Sequence, residues 1–187
     1  MNQTYPRDMI GYGATPPDAH WPGGARIAVQ FVINYEEGAE NCVLHNDRGS
    51  EAFLSEMVGT SSVVGARCMQ MESLYEYGSR AGFWRLYRLF AQAGLPVTVF
   101  GVPMSLARNP QVAAATQASG RDTVTYGLRW LVYRAVPEAS DAAHTREAIV
   151  LPPPATAAAP PGSHHRRHSP NTPPLGLHVG SSPFDSS

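Results

Sequence analysis

The chain has 187 residues, a formal net charge of -1, and 43% hydrophobic against 16% charged residues. All 14 side chains of the Lys and Arg class are arginines, which excludes a Schiff-base lysine, a lysine general base and the lysine of a phosphate-binding P-loop. The near-neutral balance gives no electrostatic footprint for nucleic acid or an anionic membrane. Two cysteines, Cys42 and Cys68, are too few for a thiolate zinc cluster or a disulfide framework.

No apolar run reaches the roughly 20 residues a membrane span needs. The opening MNQTYPRDMIGYG lacks the charged-then-apolar order of a secretion signal. The expectation is a cytoplasmic protein with no nucleic-acid or membrane partner. Ala25 to Asn34 is the clearest strand; its centre, Ile27 to Ile33, is almost wholly apolar or β-branched, as in a strand covered on both faces. His45 to Met71 is less periodic and long for a bare connection, so it reads as a loop over the functional face, with SEAFLSEMVG as a short helix inside it. Gly82 to Gly94 reads as a helix, with Phe83, Leu86, Leu89, Phe90 and Ala93 inward and Gly94 as its stop. Leu95 to Val102 is a second buried strand. Asn109 then caps a helix with Pro110 in its first turn and Gly120 at its end, and Asp122 to Gly127 is a third strand. This alternation predicts an α/β fold with a parallel sheet over residues 1–150.

Residues 151–187 differ in kind. Nine of the 17 prolines fall in this stretch, with few large apolar side chains and no period, which predicts a disordered tail. His164, His165 and His168 with Arg166 and Arg167 make either a weak metal or anion patch or an incidental solvated run.

Chemistry points first to Glu36 and Glu37, adjacent carboxylates at the C-terminal end of the first strand, where α/β enzymes place their reactions. Alternation along a strand sends them in opposite directions, so one suffices for a site, as general base or as metal ligand. A plain turn role is the alternative. Glu72 and Glu76 lie one helical turn apart, and Glu76 is placed to pair with Arg80. Gly101 to Pro103 ends a strand at a pocket wall. His20 and His45 have no partner at metal-ligand spacing, and no G-x-S-x-G or G-x-G-x-x-G pattern is present.

Four phrases carry a resemblance: YPRDMIGYG, WPGGARIAVQFVINYEEGAENCVLH, MESLYEYGSRAGFWRLYRLF and LPVTVFGV. Over roughly Tyr5 to Tyr133 the chain resembles the polysaccharide deacetylase (NodB homology) superfamily, and within it the allantoinase-type branch of purine catabolism. The resemblance implies an irregular (β/α)7-type barrel, of which this chain carries the first half. It also implies hydrolysis of C–N amide bonds in a small-molecule substrate, an allantoin-like ureide or an N-acetyl sugar. In the usual deacetylase an acid pair supplies a base and one metal ligand, and an H-x-x-x-H segment supplies two more. The allantoinase-type branch has Glu-Glu, here Glu36 and Glu37, with Ser-His-Gly-x-x-Trp as second motif, and is expected to work with no metal or other cofactor.

The matching second motif here reads Thr125, Tyr126, Gly127, Leu128, Arg129, Trp130. Tyr126 stands at the family's histidine position and Trp130 at that of the second ligand. The resemblance thus assigns Glu36, Glu37 and the Tyr126 position to catalysis. It assigns Tyr35, Glu72, Arg80, Arg129 and Trp130 to substrate binding, with Arg80 and Arg129 as candidate oxyanion donors. A phenol replaces a neutral imidazole poorly near pH 7. The implied allantoinase-like opening of a cyclic amide is therefore expected to be impaired. A metal-dependent carbohydrate N-deacetylase and a non-catalytic remnant are the alternatives. Beyond Tyr133 the likeness fades, which reads as a truncated or frame-shifted product of a high-GC gene, or as a shortened structural relative. An open half-barrel leaves a strand edge exposed, an opening for a homo-oligomer.

Overall fold

In the computed structural model, which describes residues 8–133, 136–150, 162–163 and 184–185, strand β1 (Val32–Tyr35) forms only where the apolar run meets a hydrogen-bonding neighbour. The Thr98 N–H donates to the Phe31 carbonyl at 3.0 Å and opens a parallel ladder, Val32 opposite Thr98 through Tyr35 opposite Gly101. The strand expected from Ala25 is thus shortened. Ile27 is 73% exposed and Val29 69%, so that part of the run is not covered on either face as its composition suggested. An apolar run reports side-chain preference; a strand also needs a partner for its backbone groups.

Helix α1 (Met69–Tyr77) leads through a π-helical turn (Gly78–Gly82) into α2 (Phe83–Ala93). Helix α2 stops at Gly94, whose φ of 61° places it in the left-handed region and lets its N–H reach the Ala91 and Phe90 carbonyls. It packs on the sheet through Phe83, Trp84, Tyr87 and Phe90, whereas Leu86, Leu89 and Ala93 stay exposed, so the inward stripe is rotated around the helix from the predicted one. Strand β2 (Thr98–Gly101) follows. A short helix α3 (Pro103–Arg108), absent from the sequence expectation, precedes α4 (Pro110–Ala118). Asn109 caps α4, its side-chain oxygen accepting from the Val112 N–H. Strand β3 (Thr123–Thr125) and helix α5 (Glu138–Val150) complete the main body.

Two-residue strands β4 (Gly162–Ser163) and β5 (Phe184–Asp185) extend the sheet. All pairings are parallel and the spatial order follows the chain, β1 to β5. Such an order is the arc of a (β/α) wall rather than the reversing order of a doubly wound sheet. Among the described residues the arc does not close: β1 pairs there only with β2, which makes them an open α/β sheet, not a closed barrel. The disordered tail expected at 151–187 lies outside the described residues, apart from the four residues paired in β4 and β5.

The main core joins Ile33, Tyr35, Phe83, Val97, Val99, Leu106, Val112 and Ala113. A second cluster, Ala39, Val102 and Tyr126 with Phe100, Met104 and Trp130 against it, sits beyond the C-terminal strand ends. The loop expected from His45 to Met71 is shorter, running from Asn46 to Cys68 where α1 begins, and SEAFLSEMVG forms turns rather than a helix. Its Leu54, Met57 and Val58 are exposed, and Leu54 has φ 64°, so no amphipathic face is buried to hold a helix. No helix among the described residues is long and apolar enough to cross a membrane.

Candidate functional site

Parallel strands end together, and the loops after them build one rim. β1 ends at Tyr35 and the chain turns at Glu37, so it is this turn, not the strand alternation expected from the sequence, that sets the two glutamates apart. Glu36 accepts a hydrogen bond from the Asn34 side-chain amide at 3.0 Å, on the face of the sheet where Asn34 is exposed. Glu37 lines a cavity of about 460 Å³ together with Tyr35, His45, Glu72, Ser105 and Arg108. Burial pushes the Glu37 carboxyl above the usual glutamate range, partly offset by backbone N–H bonds, including one from Glu36 at 3.2 Å. A carboxyl of that kind is poised to hold or take a proton nearer neutrality than a surface glutamate.

The walls are held by bonds distant in sequence. The Asn109 side chain donates to the Tyr35 hydroxyl at 3.0 Å, and burial raises the Tyr35 phenol. Arg108 donates to the Gly38 carbonyl, tying α3 to the chain after Glu37. Ser105 is 1% exposed, and its hydroxyl finds no hydrogen-bond partner among the described residues. Arg67 grips Glu72 through two bonds, at 2.9 and 2.5 Å, and holds its carboxyl below the ordinary range. The Cys42 thiol lies 3.8 Å from the same carboxylate.

His45 enters the cavity from the loop after β1. Its Nδ1 lies 3.1 Å from the Glu40 carbonyl and 3.2 Å from the Arg129 guanidinium. Burial, then the Arg108 and Arg129 charges, lower its pKa and favour the neutral ring. Arg129 also pairs with Asp47. Burial works against the Asp47 charge, yet the Arg129 bond, the Cys42 N–H at 2.8 Å and the Arg129 charge leave its carboxyl below the ordinary range.

The structure gathers Tyr35, Glu37, Glu72 and Glu76 around the cavity and leaves Glu36, Arg80, Tyr126, Arg129 and Trp130 out of its lining. Tyr126 is buried in the second cluster, its ring 6.0 Å from that of Phe100. Trp130 packs edge-on against Phe53 and Tyr75, with its indole N–H buried and unpartnered among the described residues. Arg129 acts on the cavity through His45. Arg80 pairs with Glu76 at 3.1 Å on an exposed helix face. Sequence reading did not assign His45, Ser105, Arg108 or Asn109 to the site. Asn109 carried a cap signal, and the others carried none, since their convergence depends on the β1–β2 pairing.

The metal of the usual deacetylase, which the allantoinase-type branch is expected to do without, needs a converging donor set. Among the described residues no three His, Cys, Asp or Glu side chains converge to hold an ion. Trp130 offers an N–H donor rather than a ligating lone pair, and Tyr126 lies in an apolar cluster. These residues do not fit that metal.

No protein-family model matches the chain. It is 37% identical over 147 residues to the Schizosaccharomyces pombe protein named "Putative polysaccharide deacetylase", a match covering 76% of this chain and 45% of that protein. The crystal structure of Puue allantoinase superposes with a TM-score of 0.88 at 48% identity, covering 97% of this chain and 60% of that one. The "probable Polysaccharide deacetylase" of Pseudomonas aeruginosa PAO1 superposes with a TM-score of 0.89 at 51% identity, covering 98% of this chain and 61% of that one. The chain thus spans less than half the length of the curated relative and about three fifths of each solved one.

Proposed function

Because the chain is homologous to the polysaccharide deacetylase superfamily, we propose that its Glu37 cavity receives a small molecule bearing an amide-type C–N bond and turns it over weakly or not at all. One observation carries the reading: the second-motif side chain, Tyr126, is packed among Ala39, Val102 and Trp130 instead of lining the cavity. Hydrolysis of such a bond needs a base to activate water and an acid to protonate the departing nitrogen, each worth about 10²–10⁴ in rate. Glu37, with its raised pKa, suits the first task. A buried phenol outside the cavity does not serve the second.

A second reading is full allantoinase-type ring opening. It is supported by the likeness to Puue allantoinase and by Glu37 standing alone of the pair in the cavity. The metal-dependent deacetylase reading lacks a fitting ligand set, as described above.

Purified protein is to be assayed with allantoin and with an N-acetylated sugar beside the Pseudomonas aeruginosa relative. The proposal expects rates at least about 100-fold below the relative on its better substrate, in line with a missing acid–base partner. Rates equal to the relative's on either substrate would overturn it.

A further inference from the structure

Gly78 has φ -57° and ψ -52°, ordinary helical values in which alanine is the more stable residue. Its backbone therefore gives no reason for glycine. The surroundings do. A Cβ built at Gly78 would overlap Glu37 Oε1 and lie 2.6 Å from its Cδ and 3.2 Å from its Cγ. The Glu37 side chain lies flat on bare helix backbone, in the space a methyl group would occupy. Gly82, at the other end of the same π-helical turn, is different: its nearest Cβ contact is Tyr77 at 3.4 Å, ordinary packing distance.

We propose that Gly78 is a positioning residue: its missing side chain is the slot that holds the Glu37 carboxylate in the cavity, and the π-helical turn begins there to present bare backbone to it. The slot accounts for the burial of Glu37, since one face of the carboxylate meets helix backbone rather than water. Any larger residue forces the flexible Glu37 side chain to swing away, because the helix backbone moves less readily than the end of a glutamate. The proposal rests on Glu37 being the working carboxylate of the cavity. Its test reads the position of Glu37 directly, so it fails or stands independently of turnover.

The experiment is a carbon-detected NMR titration of the Glu37 carboxyl in the full chain, comparing wild type, Gly78→Ala and Gly82→Ala. The expected result is a raised midpoint in wild type and Gly82→Ala, falling back toward the ordinary glutamate value in Gly78→Ala as the group swings into water. A Gly78→Ala midpoint equal to wild type overturns the proposal. So does an equal shift in Gly82→Ala, which would place the effect in the turn and not in the slot. Should Gly78→Ala fail to fold, the double variant Gly78→Ala, Glu37→Ala is expected to fold, since nothing then fills the slot. Failure of the double variant as well would show a requirement for glycine unrelated to Glu37 and overturn the assignment.

Discussion

Replacing Arg129 by methionine tests the electrostatics that fix the cavity wall. The Arg129 and Asp47 side chains are only 9% and 18% exposed, and Asp47 keeps a second bond from the Cys42 N–H. Methionine preserves the aliphatic packing of arginine, so the loss isolates the charge. Breaking a buried pair by removing one partner costs about 3–5 kcal/mol; the remaining N–H bond and residual solvent access put this case near 3 kcal/mol. That is a large share of a typical domain stability of about 5–15 kcal/mol. The loss also has a pH signature. In the wild type the Asp47 pKa is depressed, so its contribution is in place above the unfolded value and persists until the pH falls through the lower folded one. In Arg129→Met burial acts on Asp47 without that partner, its pKa rises, and protonation relieves the deficit on acidification. His45 adds in the same direction: its depressed pKa costs the wild type stability below the unfolded histidine value, and removing Arg129 lessens that cost. Urea unfolding of both proteins at pH 7 and at pH 4.5 reads the difference. A deficit below about 0.5 kcal/mol at pH 7, the ordinary scatter of surface changes, or one that does not narrow at pH 4.5, refutes the reasoning.

Three further perturbations address the core, the cavity wall and the carboxylate. Phe83→Ala removes a ring 3% exposed that meets Tyr35 and Trp84 edge-on, and is expected to cost about 3–5 kcal/mol by urea unfolding. Asn109→Ala loses both the α4 cap and the donor to Tyr35, an expected cost of about 1–3 kcal/mol, and moves the Tyr35 phenol midpoint further up in an ultraviolet titration. Glu37→Gln is expected to raise the melting temperature at pH 8: a raised folded pKa means stability in place at low pH and lost as pH rises through the folded value. That advantage shrinks on acidification; an advantage independent of pH would place its origin outside the Glu37 ionisation.

How much of this was legible in the sequence depends on the range of the interactions involved. Local signals translated directly: Gly94 ends α2, Asn109 and Pro110 begin α4, and the alternation of strands and helices gives parallel pairing. The parting of Glu36 and Glu37 was expected from strand alternation, but both lie beyond β1 and are half-buried, and the turn at Glu37 separates them. Ile27 and Val29 misled because their apolar character resembles that of Ile33, while only Ile33 finds α2 and a neighbouring strand to cover it. The cavity itself was only partly visible. Glu37 and Glu72 stood out as carboxylates, but Ser105, Arg108 and His45 reach it through pairings across β1, β2 and the segment after β3, which no local pattern encodes. Tyr126 shows the limit of motif alignment: the position matched the resemblance, whereas its surroundings became clear only with the fold.

The most direct test of a binding cavity with little turnover is one time-resolved NMR sample of the isotope-labelled chain with excess allantoin. The account predicts shifted resonances for Tyr35, His45 and Ser105 at once, their loss on Glu37→Ala, and ring-opened product forming at least about 100-fold more slowly than with the Pseudomonas aeruginosa relative. Rapid product formation, or resonances of all three residues unmoved by the ligand, would contradict it.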